Sequence, residues 1–420
     1  MLVRSSARAA AHCAVVGKRY AHLMRILHTS DWHIGRTFHG ETVREHLGVA
    51  LAAIPEWVDR YDVDVVLVAG DIFDSSLPAA WAFEELTELL VNIRKAGAQV
   101  ILSSGNHDSA QRLAYMAPLA ATAGVHVRAD PVAPIEPVIL HDEYGEVRFY
   151  PIPYLEPAVV RTRGDEQAAE VRTQADAITW AIERIQTDLD ALSNPKVRTV
   201  ALAHCFAAGV PAATPGFDLE RDLSAGGLDV VPVELFTPFT YVALGHIHSR
   251  MTLTDSVRYS GAPLHYSFTE TGTDRGAWLI EFDAAGIKES QWLEFPIPRA
   301  LRQITGTLDE LLEGTEHDDA RADWLQVTLT DALRPIDAML KLRRKFPYTA
   351  QLLYAPPQSP REAETYRSKL AKAKNDSERI ISFLKHVRNG EETSESPNWS
   401  RELEMVDSLI EAHAQQESTR

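Results

Sequence analysis

Apolar residues follow two rhythms along this chain. Short runs rich in Val, Ile and Leu occur at Arg25-Ile26-Leu27, Val63 to Val68, Val100-Ile101-Leu102, Val200-Ala201-Leu202 and Tyr241 to Leu244. Near-continuous apolar runs predict strands covered on both sheet faces. Between them, apolar residues return every three or four positions. Val43, Leu47, Ala50, Ile54 and Trp57 predict a helix over about 41–60, and Leu86, Leu89, Leu90 and Ile93 predict another ending near Gly97. Val171, Ile178, Ile182, Ile185 and Leu189 predict a third over about 167–192. Further strands are expected at 137–140, 146–150, 257–260 and 277–282, with a turn at Gly261-Ala262-Pro263. Alternating strands and helices indicate an α/β domain.

Punctuation divides the chain further. The first domain is expected over 24–296, ending at the Pro296-Ile297-Pro298 break. A second unit is expected over 297–355, with a strand at Leu325 to Leu329 and a helix around 335–345. Pro356-Pro357 and Ser359-Pro360 mark a linker into a 356–420 tail, with helices over about 361–388 and 399–416. Residues 1–23 hold Arg4, Arg8, Lys18 and Arg19 but no acidic residue and no clear apolar core, and Met24 directly precedes the first strand run. They are expected to be an upstream-extended start or a disordered tail rather than a targeting peptide.

Composition narrows the class. A length of 420 residues suits two or three domains. No apolar span approaches the ~20 residues that cross a bilayer. Two cysteines, Cys13 and Cys205, make no disulfide framework and suit a reducing cytoplasm. The net charge of −17 argues against coating nucleic acid by bulk electrostatics, though not against a local basic groove.

The chemistry lies where the runs end. They lead into Asp31-Trp32-His33, Gly70-Asp71, Gly105-Asn106-His107-Asp108, His204 and Gly245-His246-Ile247-His248. Singly, such pieces are common in loops. Together they lie at the carboxyl ends of strands, where open α/β sheets gather ligands. Asp31, His33, Asp71, Asn106, His204, His246 and His248 mix oxygen and imidazole donors for divalent metals. Seven donors exceed the needs of one four-coordinate ion and suit two ions sharing a carboxylate, an arrangement that clamps both oxygens of a phosphoryl displacement. His107 is then the spare group, placed to protonate a departing oxygen. The glycines before Asp71, Asn106 and His246 would allow tight turns. His28, His39 and His265 read as structural, and Cys205 as a small buried residue. Asp74 either caps a helix before Leu77 or supports a ligand.

Asp31-x-His33, Gly70-Asp71-Ile72-Phe73-Asp74, Gly105-Asn106-His107-Asp108, His204 and Gly245-His246-x-His248 resemble the calcineurin-like metallophosphoesterase superfamily. Two longer segments, His28 to Gly35 and Tyr259 to Phe268, resemble one branch of it, the SbcD nuclease subunits of bacterial SbcCD complexes. The resemblance covers about 24–350 well and the tail loosely. It implies a sandwich of two central β-sheets flanked by helices, a small α+β capping domain and C-terminal helices. It further implies one ion on Asp31, His33, Asp71 and His248 and another on Asp71, Asn106, His204 and His246, with Asp71 bridging. Mn²⁺ is the implied activator, with Mg²⁺ possible. His107 is the implied catalytic histidine, and Asp74 and Asp108 are candidate orienters of imidazoles. The implied activity is 3′→5′ exonuclease action on duplex DNA and endonuclease action on single strands and hairpins, in DNA repair, recombination and replication. The implied partners are an SbcC-type SMC-like ATPase on the C-terminal helices and a second copy, giving a homodimer within a heterotetramer. The family usually carries a second Ser where Ala262 stands and a commoner small residue at Cys205.

Two other functions compete. Phosphatases of the superfamily place one Arg soon after the Gly-Asp cluster and another before Gly-Asn-His, gripping a phosphate dianion. Here Ser75-Ser76 and Ser103-Ser104 stand at those places, which favours a diester over a phosphatase or cyclic-nucleotide phosphodiesterase reading. A non-catalytic DNA-end-binding scaffold would not need His107. Lys341, Arg343, Arg344 and Lys345, with Phe346 and Tyr348 behind them, either contact DNA or form a solvated helix face. Ile380, Leu384 and Val387, like Leu403, Val406 and Ile410, share helix faces that bury against a partner or fold back on the chain.

Overall fold

The strand runs are apolar throughout because each strand faces another sheet on one side and helices on the other. The computed structural model describes residues 23–133, 135–192, 197–207, 230–357 and 376–387, with 401, 404–406 and 408. Cys13, nearly all of the 1–23 extension and most of the expected tail helices lie outside the described residues.

In chain order the strands are β1 (Met24–Thr29), β2 and β3 (Thr37–Phe38 and Glu41–Thr42), β4 (Val65–Ala69), β5 (Gln99–Ser103), β6 (Val125–Arg128) and β7 (Val138–Asp142). There follow β8 (Gly145–Pro151), β9 (Arg198–His204), β10 (Tyr241–Gly245), β11 (Met251–Thr252), β12 (Val257–Tyr259), β13 (Gly276–Asp283) and β14 (Gly286–Glu294). Three more, β15 (Leu301–Gly306), β16 (Trp324–Leu329) and β17 (Thr349–Tyr354), form a small separate sheet.

One six-stranded sheet has the order β14-β13-β1-β4-β5-β6, and the other β11-β12-β10-β9-β8-β7. In each, four adjacent strands run parallel: β1, β4, β5 and β6 in the first, and β8, β9, β10 and β12 in the second. Alternate residues of one strand enter different cores. Ile26, Val65, Leu67 and Ile101 meet Val147, Phe149, Val200, Leu202 and Ala243 between the sheets. Leu27, Val66, Val68, Val100 and Leu102 instead pack under the helices Arg44–Arg60 and Ala80–Ala96. The second sheet's outer face is covered by Gln174–Asp190. The fold is the expected two-sheet α/β sandwich.

Boundaries moved where local chemistry overrode periodicity. The segment expected over 167–192 splits into a 3-10 turn at Glu166–Glu170 and a helix that starts at Gln174. Thr173 accepts from the Asp176 amide while Asp176 accepts from the Thr173 amide, a capping box that fixes the start. The helix Ala80–Ala96 ends at Gly97 with φ 117°, as expected. The short helices Ala110–Leu113, Ala117–Thr122, Pro157–Arg163 and Leu308–Glu313 were not foreseen, being too short to show a period.

Among the described residues, those up to Leu329 with Ile336–Leu353 form one compact unit, and Thr330–Pro335 with the residues from Tyr354 form another. In the first, Trp324 of β16 joins the core beneath the helices, with its ring 5.6 Å from Phe38. At the amino end of β1, buried Asp142 takes two hydrogen bonds from Arg198, at 2.7 and 2.5 Å, and one from the Met24 amide. In the second, the helix Asp376–Val387 exposes Ile380 and Phe383. No helix among the described residues is long and apolar enough to cross a membrane.

Candidate metal centre

All seven donor residues and His107 meet at the carboxyl ends of the central strands of both sheets. Asp31 and His33 follow β1, Asp71 follows β4, and Asn106 and His107 follow β5. His204 ends β9 beside Gly245, which ends β10, and His246 and His248 follow. The His33 amide donates to Asp71 O, and the His246 amide to Asp31 Oδ1, so the loops tie together as they leave the sheets.

The donors form two groups around Asp71. His33 Nε2 lies 3.6 Å from Asp71 Oδ2 and 3.1 Å from His248 Nε2. His204 Nε2 lies 3.4 Å from the same Asp71 oxygen and 3.0 Å from Asn106 Oδ1, which is 3.3 Å from His246 Nδ1. Asp31 groups with His33 and His248, and also with Asp71 and His204. His204 Nδ1–H donates to Ala69 O at 2.9 Å, so Nε2, facing Asp71 and Asn106, is the nitrogen at which an ion would replace a proton. His33 Nδ1 and His248 Nδ1 lie 3.4 Å from Asp74 and 3.5 Å from Glu270. With protons there, two Nε2 lone pairs point at one another, an arrangement that a shared cation stabilises. The chemistry and grouping of these donors fit divalent metal ions.

Burial and charge act against each other here. Burial alone would raise Asp71, but His204, His33 and His107 hold it far below the usual carboxylate range. Burial alone would depress His204, but Asp71 and Asp31 raise it to about 9. His246 falls to about 3 through burial and the neighbouring His204.

The glycines matter for space as much as for turns. Of the glycines before Asp71, Asn106 and His246, only Gly70 has positive φ, at +84°, and a Cβ there would lie 2.2 Å from His204 Nδ1. A Cβ on Gly245 would lie 1.8 Å from Ala69 O, and one on Gly105 would lie 2.1 Å from Asp71 Oδ1.

The two candidate orienters part company. Asp74 lies beside His33, accepts from Arg36 at 2.8 Å, and its backbone carbonyl lies 2.9 Å from His107 Nδ1. Asp108 is engaged by backbone instead: it accepts from the amides of Ile72, Phe73 and Gly105. Burial and Asp71 raise its pKa to about 6 despite those amides. Its hydrogen bonds tie two ligand loops together.

Other residues fall into place around the centre. Tyr241 donates to His28 Nδ1 and His28 donates to Leu244 O, bridging the sheets, and His265 pairs with Thr273 O. Buried Cys205 has its thiol pushed up to about 12. Ser30 contacts Asp31 at 2.5 Å and Ser260 at 2.9 Å. Glu270 and Arg275, buried behind His248, were not foreseen. They lie on a segment with no preceding strand run to flag them.

The basic cluster is partly committed elsewhere. Lys345 donates to Leu311 O and Leu312 O, and Arg343 donates to Thr349 O. Phe346 is fully buried and Tyr348 carries Arg299 at 3.3 Å, which removes Phe346 as a base-stacking platform. Lys341 and Arg344 line a cleft with Glu313, Asp318 and Arg321.

Residues 24–250 match the family model for the calcineurin-like phosphoesterases. Residues 297–388 match the SbcD C-terminal model, described as a type 5 capsule protein repressor C-terminal domain. Among solved structures, the chain is similar to GAP50, the anchor in the inner membrane complex of Plasmodium. That match has 10% identity, covers 80% of this chain and 100% of the other, and has a TM-score of 0.38. A dimetal phosphatase from Danio rerio gives 13% identity, coverage of 66% and 100%, and a TM-score of 0.37. A protein of Thermus thermophilus gives 13%, 64% and 99%, and 0.36.

Proposed function

The chain belongs to the calcineurin-like phosphoesterases, metal-dependent enzymes, and carries an SbcD-type C-terminal domain; from that premise we propose that it is a dimetal nuclease hydrolysing DNA phosphodiesters. One ion would be held by Asp31, His33, Asp71 and His248, and the other by Asp71, Asn106, His204 and His246. Bound there, Mn²⁺ or Mg²⁺ supplies Lewis acidity to the phosphoryl group and acidifies water. Asp71 would serve both ions, a role supported by its contacts to His33 and His204. His107 Nδ1–H donates to Asp74 O, and the His107 amide donates to Asp71 Oδ1 at 2.9 Å. That leaves Nε2 as the nitrogen that delivers a proton to the leaving oxygen.

The diester reading rests on one observation: among the described residues, serines stand at the two places where a dianion clamp would put its guanidiniums. Ser103 and Ser104 are buried before Gly105, Ser75 and Ser76 follow Asp74, and the neighbouring Arg36 is already paired with Asp74 and stacked 4.7 Å from the Tyr266 ring centroid. A diester carries one negative charge and needs no such clamp.

The finer assignments follow the same reading. Residues 24–296 form the nuclease domain, 297–355 the capping domain and 356–420 the partner-binding tail. The enzyme acts in the cytoplasm, on duplex ends as a 3′→5′ exonuclease and on single strands and hairpins as an endonuclease, as a homodimer with an SMC-like ATPase. Exposed Ile380 and Phe383 on one tail helix support a docking role. The test is Mn²⁺-dependent cleavage of end-labelled duplex and hairpin DNA beside a phosphate monoester, with His107→Ala as control. Diester cleavage lost in the variant is the expected result. Robust monoester hydrolysis without DNA cleavage would overturn the nuclease reading.

A further inference from the structure

The turn behind His248 is built around a buried carboxylate. Glu270 ends the 3-10 turn Phe268–Glu270 and is 1% exposed. Its Oε1 lies 3.5 Å from His248 Nδ1, at the outer limit of a hydrogen bond. Its Oε2 accepts from the Tyr266 amide at 2.9 Å and from Arg275. Arg275 is equally buried, and its other Nη donates to His248 O. Both the ring and the backbone of His248 are therefore gripped by one buried ion pair. A buried ion pair is poor evidence of stability, because apolar residues of similar size would serve as well. Its place beside a donor imidazole points to orientation.

The same turn is held from the far side by the small sheet. Gln303 of β15 donates to Phe268 O at 2.9 Å. Phe268 packs on Phe38 with ring centroids 5.2 Å apart, and Phe38 packs on Trp324 of β16.

We propose that Glu270 is a positioning residue that fixes the tautomer and direction of His248, and that β15 sets Glu270's place through Gln303. The inference rests on reading His248 as a ligand of one ion. A carboxylate on Nδ1–H keeps Nε2 deprotonated and aimed, and losing such a partner usually costs ~10–100-fold in metal affinity. The small sheet thereby acts on the geometry of one ion and not the other.

The test is Mn²⁺ titration of the full chain by calorimetry and by electron paramagnetic resonance. Glu270→Gln is expected to weaken one ion ~10–100-fold and leave the other at wild-type affinity, with kcat on a diester falling while KM holds. Gln303→Ala is expected to weaken the same ion by less. If Glu270→Gln proves unstable because Arg275 is stranded, the double variant Glu270→Gln with Arg275→Gln removes both charges and is read in the same way. Wild-type affinity for both ions in a folded Glu270 variant overturns the proposal, and so does equal weakening of both ions. His248→Ala separates the two levels. If it takes up both ions normally, the ligand reading itself fails and the positioning role falls with it.

Discussion

Asp31, His33, Asp71 and His246 have φ of 53°, 47°, 50° and 98°, in the left-handed region that most side chains avoid. Each such residue costs roughly 1–3 kcal/mol and persists only where its surroundings fix it. The spacing of Asp and His in the sequence flagged these positions but gave no hint of their backbone. Gly105 shows the same tightness. A Cβ would strike Asp71 Oδ1, so Gly105→Ala should cut hydrolysis by ~100-fold or more through a displaced ligand. Steady-state kinetics checks this, and unchanged rates would contradict the packing. Asp142 offers a prediction away from the chemistry. Burial alone would raise its pKa, but hydrogen bonds from Arg198, Tyr144 N and Met24 N bring it below the ordinary 3.8. The stability this contributes is present above that ordinary value and is lost as pH falls through the lowered pKa. Asp142→Asn should cost about 3–5 kcal/mol at neutral pH, because a buried Arg198 is stranded. Denaturant melts should show that gap narrowing below about pH 4, as the wild-type carboxylate also protonates.

At the scale of elements, strands were more legible than helices. The five flagged runs correspond to β1, β4, β5, β9 and β10 because burial on both faces leaves an uninterrupted apolar signal. Edge strands such as β14, with its run of Lys288, Glu289 and Ser290, gave none, since one face meets water. Glu270 escaped notice for a related reason: a 3-10 turn of three residues has no period to read. The basic cluster looked like one surface in sequence, yet Lys345 and Arg343 are spent on backbone carbonyls. If DNA meets this helix, it meets Lys341 and Arg344. Reversing those two charges should weaken DNA binding in a salt-dependent way, and unchanged affinity would remove the helix from the DNA path. For the tail, removing the residues after Pro360 should leave hydrolysis intact and abolish co-purification of the ATPase. A complex that survives the deletion would place the docking surface elsewhere.

At the scale of the molecule, the proposed ligands divide between the sheets: Asp31, His33, Asp71 and Asn106 from the first, His204, His246 and His248 from the second. Ions bound there brace the sandwich, so chelation should lower the melting temperature. An ion at one hundred times its Kd adds about 2.7 kcal/mol, enough to shift a melt by several degrees. A melt unchanged by chelator would argue that the donors hold no ion in solution. The net charge of −17 makes a further demand. If the chain is the nuclease proposed above, so acidic a protein would draw DNA affinity from the proposed ATPase, and the salt dependence of binding should steepen when that ATPase is added.

The order in which the chain is made has its own bearing on safety. β1, which carries the first donors, lies between β4 and β13, and Met24 is registered against Phe282. The first and last proposed donors, Asp31 and His248, are separated by most of the sandwich. A ribosome must therefore deliver the chain through His248 before the proposed metal centre can be complete. A product terminated before residue 246 lacks both His246 and His248 and so would lack two of the proposed donors.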